Sequence, residues 1–381
     1  MQSLRFGTLE FSLRLKNISL WDPDNPVLYT AILSLRSNEH LADQVALRFG
    51  IRDACYDKNQ GLLLNRRKLI IKGVCLHHDG GCVGAAVPPG VWRYRLRRLK
   101  EMGANALRCS HNPPDPALLD LADEMGFMVL DEAFDEWAAL KGKDLGSNAH
   151  NSRGYSEYFS SDWHDDLSAL IRRDRNHPSV LFWSIGNEIH EQILAEGPYL
   201  ARRLTGLCHS LDPDRLVTAA CDLVGAQPVP ASDQFLNELD IVGINYTDRW
   251  RVRTETFFDE EKQRHPDWLL MGSEDISVSG RRGDYRLDLP ATVRGPVVYY
   301  ANMLKAEKLW KYLLTRPFVM GSFMWTGVDY LGECFWPDKN ASAGVLDTCG
   351  FPKDGYWFYQ SVWRQDRPVL HAFPHRNLNL P

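Results

Sequence analysis

From Lys68 onward, short apolar runs alternate with segments whose apolar residues recur at helical spacing. Continuous apolar runs are typical of parallel strands that are covered on both faces. Eight such strands with helices between them, over about 300 residues, predict a closed (β/α)₈ barrel of the TIM type. An open doubly wound sheet is the alternative, and it is disfavoured because no Gly-x-Gly-x-x-Gly follows the first strand. The predicted strands are Leu69–Leu76, Ala104–Arg108, Phe127–Asp131, Val180–Ile185, Leu216–Ala220, Ile241–Asn245, Trp268–Gly272 and Phe318–Trp325.

Helical spacing fills most of the intervals between these strands. The intervals after the third, seventh and eighth strands are long and irregular in composition, and such loops build the active sites of barrel enzymes. The predicted helices are Val91–Met102, Pro116–Met125, Trp163–Arg173, Ile189–Ser210, Ser232–Leu236, Thr254–His265 and Val297–Leu314.

The first 67 residues have a different pattern, in which apolar and polar residues alternate as in half-buried strands. Leu9–Leu15 and Tyr29–Leu35 show the alternation, and clusters at Asp22–Pro26 and Asp57–Gly61 carry the Asp, Asn, Pro and Gly residues of turns. The pattern predicts a partial β-sandwich, since fewer than about 70 residues is short for a whole one. We therefore predict two domains, residues 1–67 and residues 68–381.

The composition argues against several classes of protein. A net charge of −5 gives no basic surface for nucleic acid or anionic lipid, so neither partner is expected. No apolar run approaches the roughly 18 residues of a membrane span. The eight cysteines include no Cys-x-x-Cys pair, which argues against a zinc or redox motif. Twelve tryptophans are many, and aromatic faces pack against sugar rings, although the count alone favours ordinary core residues.

Polar residues directly follow seven of the eight predicted strands. In a barrel the carboxyl ends of all strands meet at one rim, where the active site of such enzymes lies. These polar segments are Cys75–Gly81, Arg108–Pro114, Asp131–Trp137, Trp183–Glu188, Asn245–Tyr246, Gly272–Asp275 and Trp325–Tyr330.

Two of these residues, Glu188 and Glu274, each follow a buried run directly. A retaining glycosidase uses two carboxyl groups about 5–5.5 Å apart, one to protonate the leaving oxygen and one to attack the anomeric carbon. A lone glutamate after a strand is more often a structural residue. The pair, with Asn187 adjacent and Trp325 available as an aromatic floor, favours catalysis.

The histidines and the arginine of this rim allow more than one interpretation. His77 and His78 are either metal ligands or neutral hydrogen-bonding groups, and the second is favoured because neighbours on a strand point to opposite faces. His111 is either structural or a ligand of a sugar hydroxyl. Arg108 is expected to be a buried cation that requires a carboxylate partner, for which Asp131 and Glu132 are candidates.

Two segments, Gly73–Trp137 and Asn176–Glu188, resemble glycoside hydrolase family 2, which contains β-galactosidases, β-glucuronidases and β-mannosidases. Trp21–Tyr29 and Phe49–Arg52 are similar to the end of that family's immunoglobulin-like second domain. The resemblance covers nearly the whole chain. It implies a TIM barrel preceded by a partial immunoglobulin-like sandwich, and a retaining mechanism.

The resemblance also implies a role for individual residues. Glu188 takes the place of the family's acid/base and Glu274 that of its nucleophile. We expect Glu188 to hold a proton near neutral pH because of the like charge of Glu274, and Arg108 to lower the pKa of Glu274. Asn187 matches the position that holds the sugar 2-hydroxyl, and Tyr246 and Arg108 match the groups that orient the nucleophile. The other predicted sugar-binding residues are His77, His111, Trp325, Asp79 and Glu333.

This sequence departs from the family pattern at three points. The family's N-terminal jelly-roll domain is absent, and the immunoglobulin-like domain looks cut short. The magnesium-dependent β-galactosidases have Glu-Thr-His where this chain has Glu136–Ala138, and a histidine where it has Ser277, so no metal or other cofactor is expected. The Asn-x-Lys with which β-glucuronidases bind the sugar carboxylate does not occur, which disfavours that activity.

We therefore predict a retaining exo-β-glycosidase, specifically a β-galactosidase. The alternatives are a β-glucuronidase or other β-hexosidase of the same family, and an inactive barrel that binds carbohydrate or a protein partner. The expected partner is a carbohydrate substrate, and homo-oligomerisation is left open. The first residues lack the features of a secretory signal, which favours the cytoplasm for the chain as given.

Overall fold

The computed structural model describes residues 10, 12–37, 39–141, 154–247, 249, 253, 255–278, 280, 282, 296–334 and 339–372. An eight-stranded closed barrel of parallel strands follows two small antiparallel sheets. The predicted fold class, a TIM barrel preceded by a partial sandwich, is confirmed.

The first sheet is a two-stranded ribbon of β1 (Tyr29–Ser37) and β2 (His40–Phe49), paired antiparallel from Tyr29 opposite Phe49. Both faces of the ribbon are exposed, in keeping with a sandwich of which only part is present. The predicted strand at Tyr29–Leu35 is confirmed. The predicted strand at Leu9–Leu15 is wrong for residues 12–15, which form no strand, whereas residues 9 and 11 lie outside the described part of the chain.

The second sheet consists of β3 (Ala54–Asp57), β4 (Gly61–Leu64) and β5 (Arg67–Leu69). It covers the amino ends of the barrel strands, where the Tyr56 hydroxyl donates to the Leu181 carbonyl at 3.1 Å. Strand β5 crosses the predicted domain boundary after residue 67. The division into residues 1–67 and 68–381 stays a prediction.

The barrel closes where its last strand pairs in parallel with its first, with Gly321 opposite Ile71. The predicted strands are confirmed, with ends that differ by a few residues at most. In chain order the barrel strands are β6 (Ile71–His77), β7 (Ala106–Ser110), β8 (Met128–Glu132), β9 (Val180–Asn187), β10 (Leu216–Cys221), β11 (Ile241–Asn245), β12 (Leu269–Asp275) and β13 (Val319–Met324).

The helices pack around the barrel, and their ends follow local sequence signals. In the second helix, the Asp115 side chain accepts from the Ala117 N–H at 2.8 Å, and Pro116 takes the first position, where no N–H is required. The sequence did not predict the eighth helix. The helices are α1 (Pro89–Met102), α2 (Pro116–Met125), α3 (Ser156–Asp174), α4 (Gly197–Leu211), α5 (Asp233–Leu236), α6 (Phe257–Arg264), α7 (Pro296–Leu313) and α8 (Asp354–Trp363).

Apolar side chains fill both the inside of the barrel and the space between barrel and helices. The inner cluster includes Phe182 and Phe323, and at the amino ends of the strands Trp21 is fully buried, with its indole N–H donated to the Asp123 carbonyl at 2.9 Å. Because this end is filled and covered, the carboxyl ends of the strands are left for a site. Within the described residues, no helix has the length and hydrophobicity to cross a bilayer.

We predict that Gly321→Ala destabilises the protein by about 1–3 kcal/mol, because the barrel seam has no room for a methyl group. A Cβ there would lie 2.2 Å from the Ile71 carbonyl oxygen, and the φ of +128° is itself unfavourable for alanine. Denaturant unfolding measures the change. Gly206→Ala, in the middle of α4 with open space around it, is the matched control and should stabilise by up to about 1 kcal/mol. Equal effects of the two substitutions would contradict the argument.

Candidate active site

The carboxyl ends of the barrel strands bring most of the predicted site residues into one network. Glu188 and Tyr246 directly follow β9 and β11, and both have a positive φ, of 44° and 55°. For residues with a Cβ such backbone costs on the order of 1–3 kcal/mol and is concentrated at functional sites. The sharp turns mark the points where the chain leaves each strand.

Arg108, near the end of β7, lies at the centre of this network and is fully buried. Its guanidinium donates to both oxygens of Glu132 at 2.9 Å and to Glu274 Oε2 at 2.8 Å. It also donates to Asn187 Oδ1 at 2.8 Å. The predicted buried cation with a carboxylate partner is therefore present, and Glu132 is that partner.

Asp131, the other candidate partner of Arg108, lies outside this network. It is fully buried, and burial together with the neighbouring carboxylate of Asp174 raises its pKa well above the usual range. A protonated carboxyl group fits such a position because it avoids burial of a second negative charge.

Glu132 also receives two bonds besides those from Arg108. Nδ1 of His111 lies 2.8 Å from Glu132 Oε1, and the Ser184 hydroxyl donates to Oε2 at 2.6 Å. Since the ionised Glu132 carboxylate can only accept, Nδ1 of His111 is the donor in this bond, and Nε2 is left for another partner. His111 is therefore oriented by the network.

Asn187 is held from three sides, which fixes the orientation of its amide. Its Oδ1 accepts from Arg108 and, at 3.1 Å, from Asn245, while its Nδ2 donates to Asp135 at 3.2 Å. Asp135 in turn accepts from the Lys141 ammonium at 2.9 Å.

Glu274 lies at the end of β12 and is 5% exposed. Burial raises its pKa, the charge of Arg108 opposes that rise, and the like charge of Glu188 adds to it. The Tyr246 hydroxyl also bonds to this carboxyl group. Arg108 thus lowers the pKa of Glu274 as expected, but burial outweighs that effect and the net direction is upward.

Glu188 is more accessible, with a side chain 21% exposed, and it lies in a more positive environment. Its Oε1 accepts from Arg249 at 2.7 Å and from Asn245 at 3.2 Å. Burial acts to raise its pKa, but the charges of Arg249 and Lys141 outweigh burial and lower it. This direction is opposite to the expected rise, because the sequence did not reveal Arg249 as the partner of Glu188. That Glu188 holds the proton during the reaction stays a prediction.

Aromatic rings form one wall of the site. Trp325 is 6% exposed and stacks on His111 with ring centres 5.3 Å apart, and His77 stacks on Tyr330 at 4.0 Å. A cavity of about 680 Å³ opens beside these histidines toward α3. Its lining includes His77, His111 and Asp135 but neither Glu188 nor Glu274, so the cavity does not contain the pair of glutamates.

Two predicted sugar-binding residues, Asp79 and Glu333, lie in the loops around the site. Asp79 accepts from the backbone N–H groups of Gly81 at 2.7 Å and Leu331 at 3.3 Å, so it joins the loops after β6 and β13. Glu333 is exposed and accepts from the Tyr330 hydroxyl. Their contact with a sugar stays a prediction.

The histidine pair after β6 has the geometry that the alternation of a strand predicts. The His77 ring lies at the site, whereas the His78 ring lies 5.5 Å from the Trp92 ring of α1. The two rings therefore have different surroundings. Elsewhere, Asp120, Asp123 and His177 approach one another as metal ligands could, but Asp123 already accepts from His177 at 2.6 Å and from a backbone N–H.

Sequence reasoning missed the charged loop residues that face Glu188. Arg249 and Lys141 lie beyond the strand ends, in loops where no periodicity fixes the direction of a side chain. Asp135 and Asn245 were in the polar segments that follow the strands, and their position there was the available signal.

A TIM barrel with one buried and one partly exposed glutamate, an enclosed arginine and an aromatic wall at its carboxyl rim is typical of carbohydrate-active barrels. Comparison with known proteins specifies the class further. Residues 57–268 match the family described as "Glycosyl hydrolases family 2, TIM barrel domain", and residues 2–52 match "Glycosyl hydrolases family 2". The chain belongs to glycosyl hydrolases family 2.

Similar proteins have names of two kinds. A β-galactosidase from Bacteroides ovatus is 37% identical over 419 residues, which covers 96% of this chain and 47% of that protein. A β-glucuronidase from Bacteroides fragilis is 27% identical, and the match covers 95% of this chain and 51% of that protein. A β-glycosidase from Bacteroides vulgatus, known from a crystal structure, is 35% identical in sequence with a TM-score of 0.74. The match covers 91% of this chain and 46% of that protein. The chain thus spans about half the length of these relatives.

We predict that Glu132→Ala lowers the free energy of unfolding by about 3–5 kcal/mol, because it leaves the buried Arg108 charge without its bidentate partner. Denaturant unfolding at neutral pH measures this loss. Glu101→Ala is the matched control, since it removes a half-exposed carboxylate bonded to Arg98 on α1, and should cost no more than about 1 kcal/mol.

The same ion pair predicts how stability depends on pH. Burial acts to raise the pKa of Glu132, but Arg108 and the bonds from His111 and Ser184 outweigh it and lower the pKa. The contribution is fully present above the unfolded-state pKa of about 4.3 and is lost as the pH falls through the lower folded-state value. The unfolding free energy of the unsubstituted protein should therefore fall more steeply in that acid window than that of Glu132→Ala. Parallel curves would contradict this assignment.

Proposed function

We propose that this chain is a retaining exo-β-glycosidase that removes terminal β-galactosyl residues. The observation that carries the proposal is that Glu188 and Glu274 meet in one buried network. The charge of Glu188 acts on Glu274, and Asn187 connects the two, because it binds Arg108, which donates to Glu274, and Asn245, which donates to Glu188. Two coupled carboxyl groups are what a double displacement at a sugar carbon requires.

In the proposed mechanism Glu274 is the nucleophile. Arg108 and Tyr246 bond to its carboxyl group and hold it in one orientation. It attacks the anomeric carbon while Glu188 gives its proton to the departing oxygen, so the carbon–oxygen bond breaks and a glycosyl ester of Glu274 forms. Glu188, now ionised, takes a proton from water, and that water attacks the same carbon and frees Glu274.

The remaining predicted residues would bind the sugar. Asn187 is held with its amide fixed near Glu188, which suits a hydroxyl next to the reacting carbon. The Trp325 ring provides an apolar surface for the C–H face of a pyranose. His77, His111, Asp79 and Glu333 lie around the same rim and are proposed as partners of the other hydroxyls.

The choice of galactose rests on similarity and on one absent motif. The Bacteroides ovatus β-galactosidase is more similar over the chain than the Bacteroides fragilis β-glucuronidase, 37% against 27%. The Asn-x-Lys of β-glucuronidases is also missing from the sequence. A β-glucuronidase remains the rival within the family. An inactive carbohydrate-binding barrel is the rival outside it, and the presence of both glutamates argues against that rival.

A panel of chromogenic β-glycosides tests the proposed substrate. We expect release of nitrophenol from the β-galactoside at a kcat/KM at least about tenfold above that from the β-glucuronide, a difference of about 1.4 kcal/mol in transition-state binding. Glu274→Gln is the matched control, since it keeps the shape and removes the nucleophile, and it should be inactive on every substrate. Preference for the glucuronide would replace the sugar assignment. Absence of turnover with all of them would overturn the proposed activity.

Substitution of each glutamate separates their proposed roles by the product formed with azide. Glu188→Ala should still be glycosylated by an activated dinitrophenyl galactoside, whose leaving group requires no proton, and should then stall for lack of a base. Azide requires no base, so it should restore turnover and give the β-galactosyl azide. Glu274→Ala lacks the nucleophile, so azide should attack directly and give the α-anomer.

NMR of the product distinguishes the two anomers. The turnover of each variant without azide should fall by at least about 10³-fold on an unactivated galactoside, since each removes a group that takes part in the reaction. The same anomer from both variants, or the two anomers exchanged, would mean that the roles of Glu188 and Glu274 are wrongly assigned.

A further inference from the structure

A single guanidinium, that of Arg249, is shared between two carboxylates at the rim. Its Nη1 lies 2.7 Å from Glu188 Oε1 and 3.0 Å from Asp222 Oδ2. Its guanidinium carbon also lies 4.3 Å from the centre of the Tyr246 ring, the ring whose hydroxyl bonds to Glu274. The side chain is one-third exposed.

This arrangement conflicts with the first chemical step, in which Glu188 must carry a proton. An ion pair at 2.7 Å stabilises the ionised form of Glu188 and so opposes that proton. Glu188 alternates between neutral and ionised within each turnover, because it is an acid in the first step and a base in the second. A fixed cation would assist only one half of that cycle.

Other charged and titratable groups face Glu188 from several elements. Lys141 contributes positive charge, but its ammonium donates to Asp135 and to the Asn187 carbonyl rather than to Glu188. The carboxyl groups of Glu274 and Asp222 interact with Glu188 as like charges and so favour its neutral form. The Cys221 thiol, whose pKa is raised by burial, and the Tyr246 hydroxyl face it as neutral groups. Among the groups that the structure describes, Arg249 is the cation in direct contact with Glu188.

We propose that Arg249 is a positioning residue that exchanges between Glu188 and Asp222 in each turnover, an inference that rests on the proposed glycosidase function. In the structure it pairs with both carboxylates. When Glu188 is protonated beside a bound glycoside, Arg249 remains on Asp222 alone. When Glu188 has given its proton to the leaving oxygen, Arg249 binds the new carboxylate. When Glu188 takes a proton from water, the guanidinium is released to Asp222 again.

The geometry makes this exchange a small movement. Arg249 already bonds to Asp222, so its separation from Glu188 breaks one ion pair and does not leave the guanidinium without a carboxylate. The guanidinium also packs on the face of the Tyr246 ring in a cation–π contact. Asp222 is held by the Gln192 amide at 2.7 Å and can therefore serve as the stationary partner.

The test uses substitutions that shift the pKa of Glu188 in opposite directions. Arg249→Met removes the cation, so the basic limb of kcat/KM for an alkyl galactoside should move to higher pH, because Glu188 keeps its proton longer. Asp222→Asn removes the competing carboxylate, so Arg249 holds ionised Glu188 more firmly and the limb should move to lower pH. Arg249→Lys keeps the charge and should stay closer to the unsubstituted enzyme than Arg249→Met does.

A matched control and an activated substrate separate this effect from simple damage. Arg202→Met removes an exposed guanidinium that pairs with Glu238, away from the rim, and should leave the limb unchanged. With a dinitrophenyl galactoside the first step requires no proton, so the shifts of kcat/KM should disappear. A merely structural Arg249 would lower the rate with both substrates and leave the limb in place, and that result would overturn the proposal.

Titration of the Glu188 carboxyl by ¹³C NMR, assigned by its loss in Glu188→Gln, gives the same comparison without turnover. The pKa of the Glu188 carboxyl group should rise in Arg249→Met and fall in Asp222→Asn. If the pKa of Glu188 moved in the same direction in both variants, or did not move, the role of Arg249 would be overturned, whether or not the variants are active. Failure of the unsubstituted enzyme on every β-glycoside, with opposite movements still present, would instead overturn the proposed function.

Discussion

The positive charge of Arg108, completely enclosed by protein, controls the arrangement of the barrel rim. A guanidinium without water must have acceptors for its N–H groups, and Glu132, Glu274 and Asn187 supply them from three other strands. The ion pair therefore fixes the relative positions of β7, β8, β9 and β12 at their carboxyl ends. Loss of one acceptor would leave a buried charge uncompensated, so the network behaves as a unit.

The two central glutamates differ in how firmly the protein holds them. Glu274 is bonded to groups at the strand ends and is almost wholly buried, which suits the proposed role of a nucleophile that must meet one carbon atom. Glu188 is bonded to Arg249, which lies in a loop and is partly exposed. An acid/base group requires a changing environment, since its charge differs between the two steps, and a loop supplies that more readily than a strand.

The sequence predicted the barrel well because its strands are short, continuous apolar runs with few competing interpretations. It also predicted that Arg108, Glu188 and Glu274 would lie together, because every strand of a barrel ends at one rim. It did not predict α8, which follows an irregular interval, or the pairing of Arg249 with Glu188. Contacts between loops depend on side-chain directions that no periodicity encodes, and the lowered pKa of Glu188 was not predicted for that reason.

The two-stranded ribbon differs from the barrel in having open edges. In the part of the chain that the structure describes, β1 and β2 pair only with each other, and leucine, isoleucine and valine side chains are exposed on them. Open edges with apolar side chains are templates for pairing between molecules, whereas a closed barrel offers none. Aggregation of this chain in concentrated solution should therefore depend mainly on the roughly twenty residues of β1 and β2. Substitutions in these strands would change its solubility with little effect on the barrel rim.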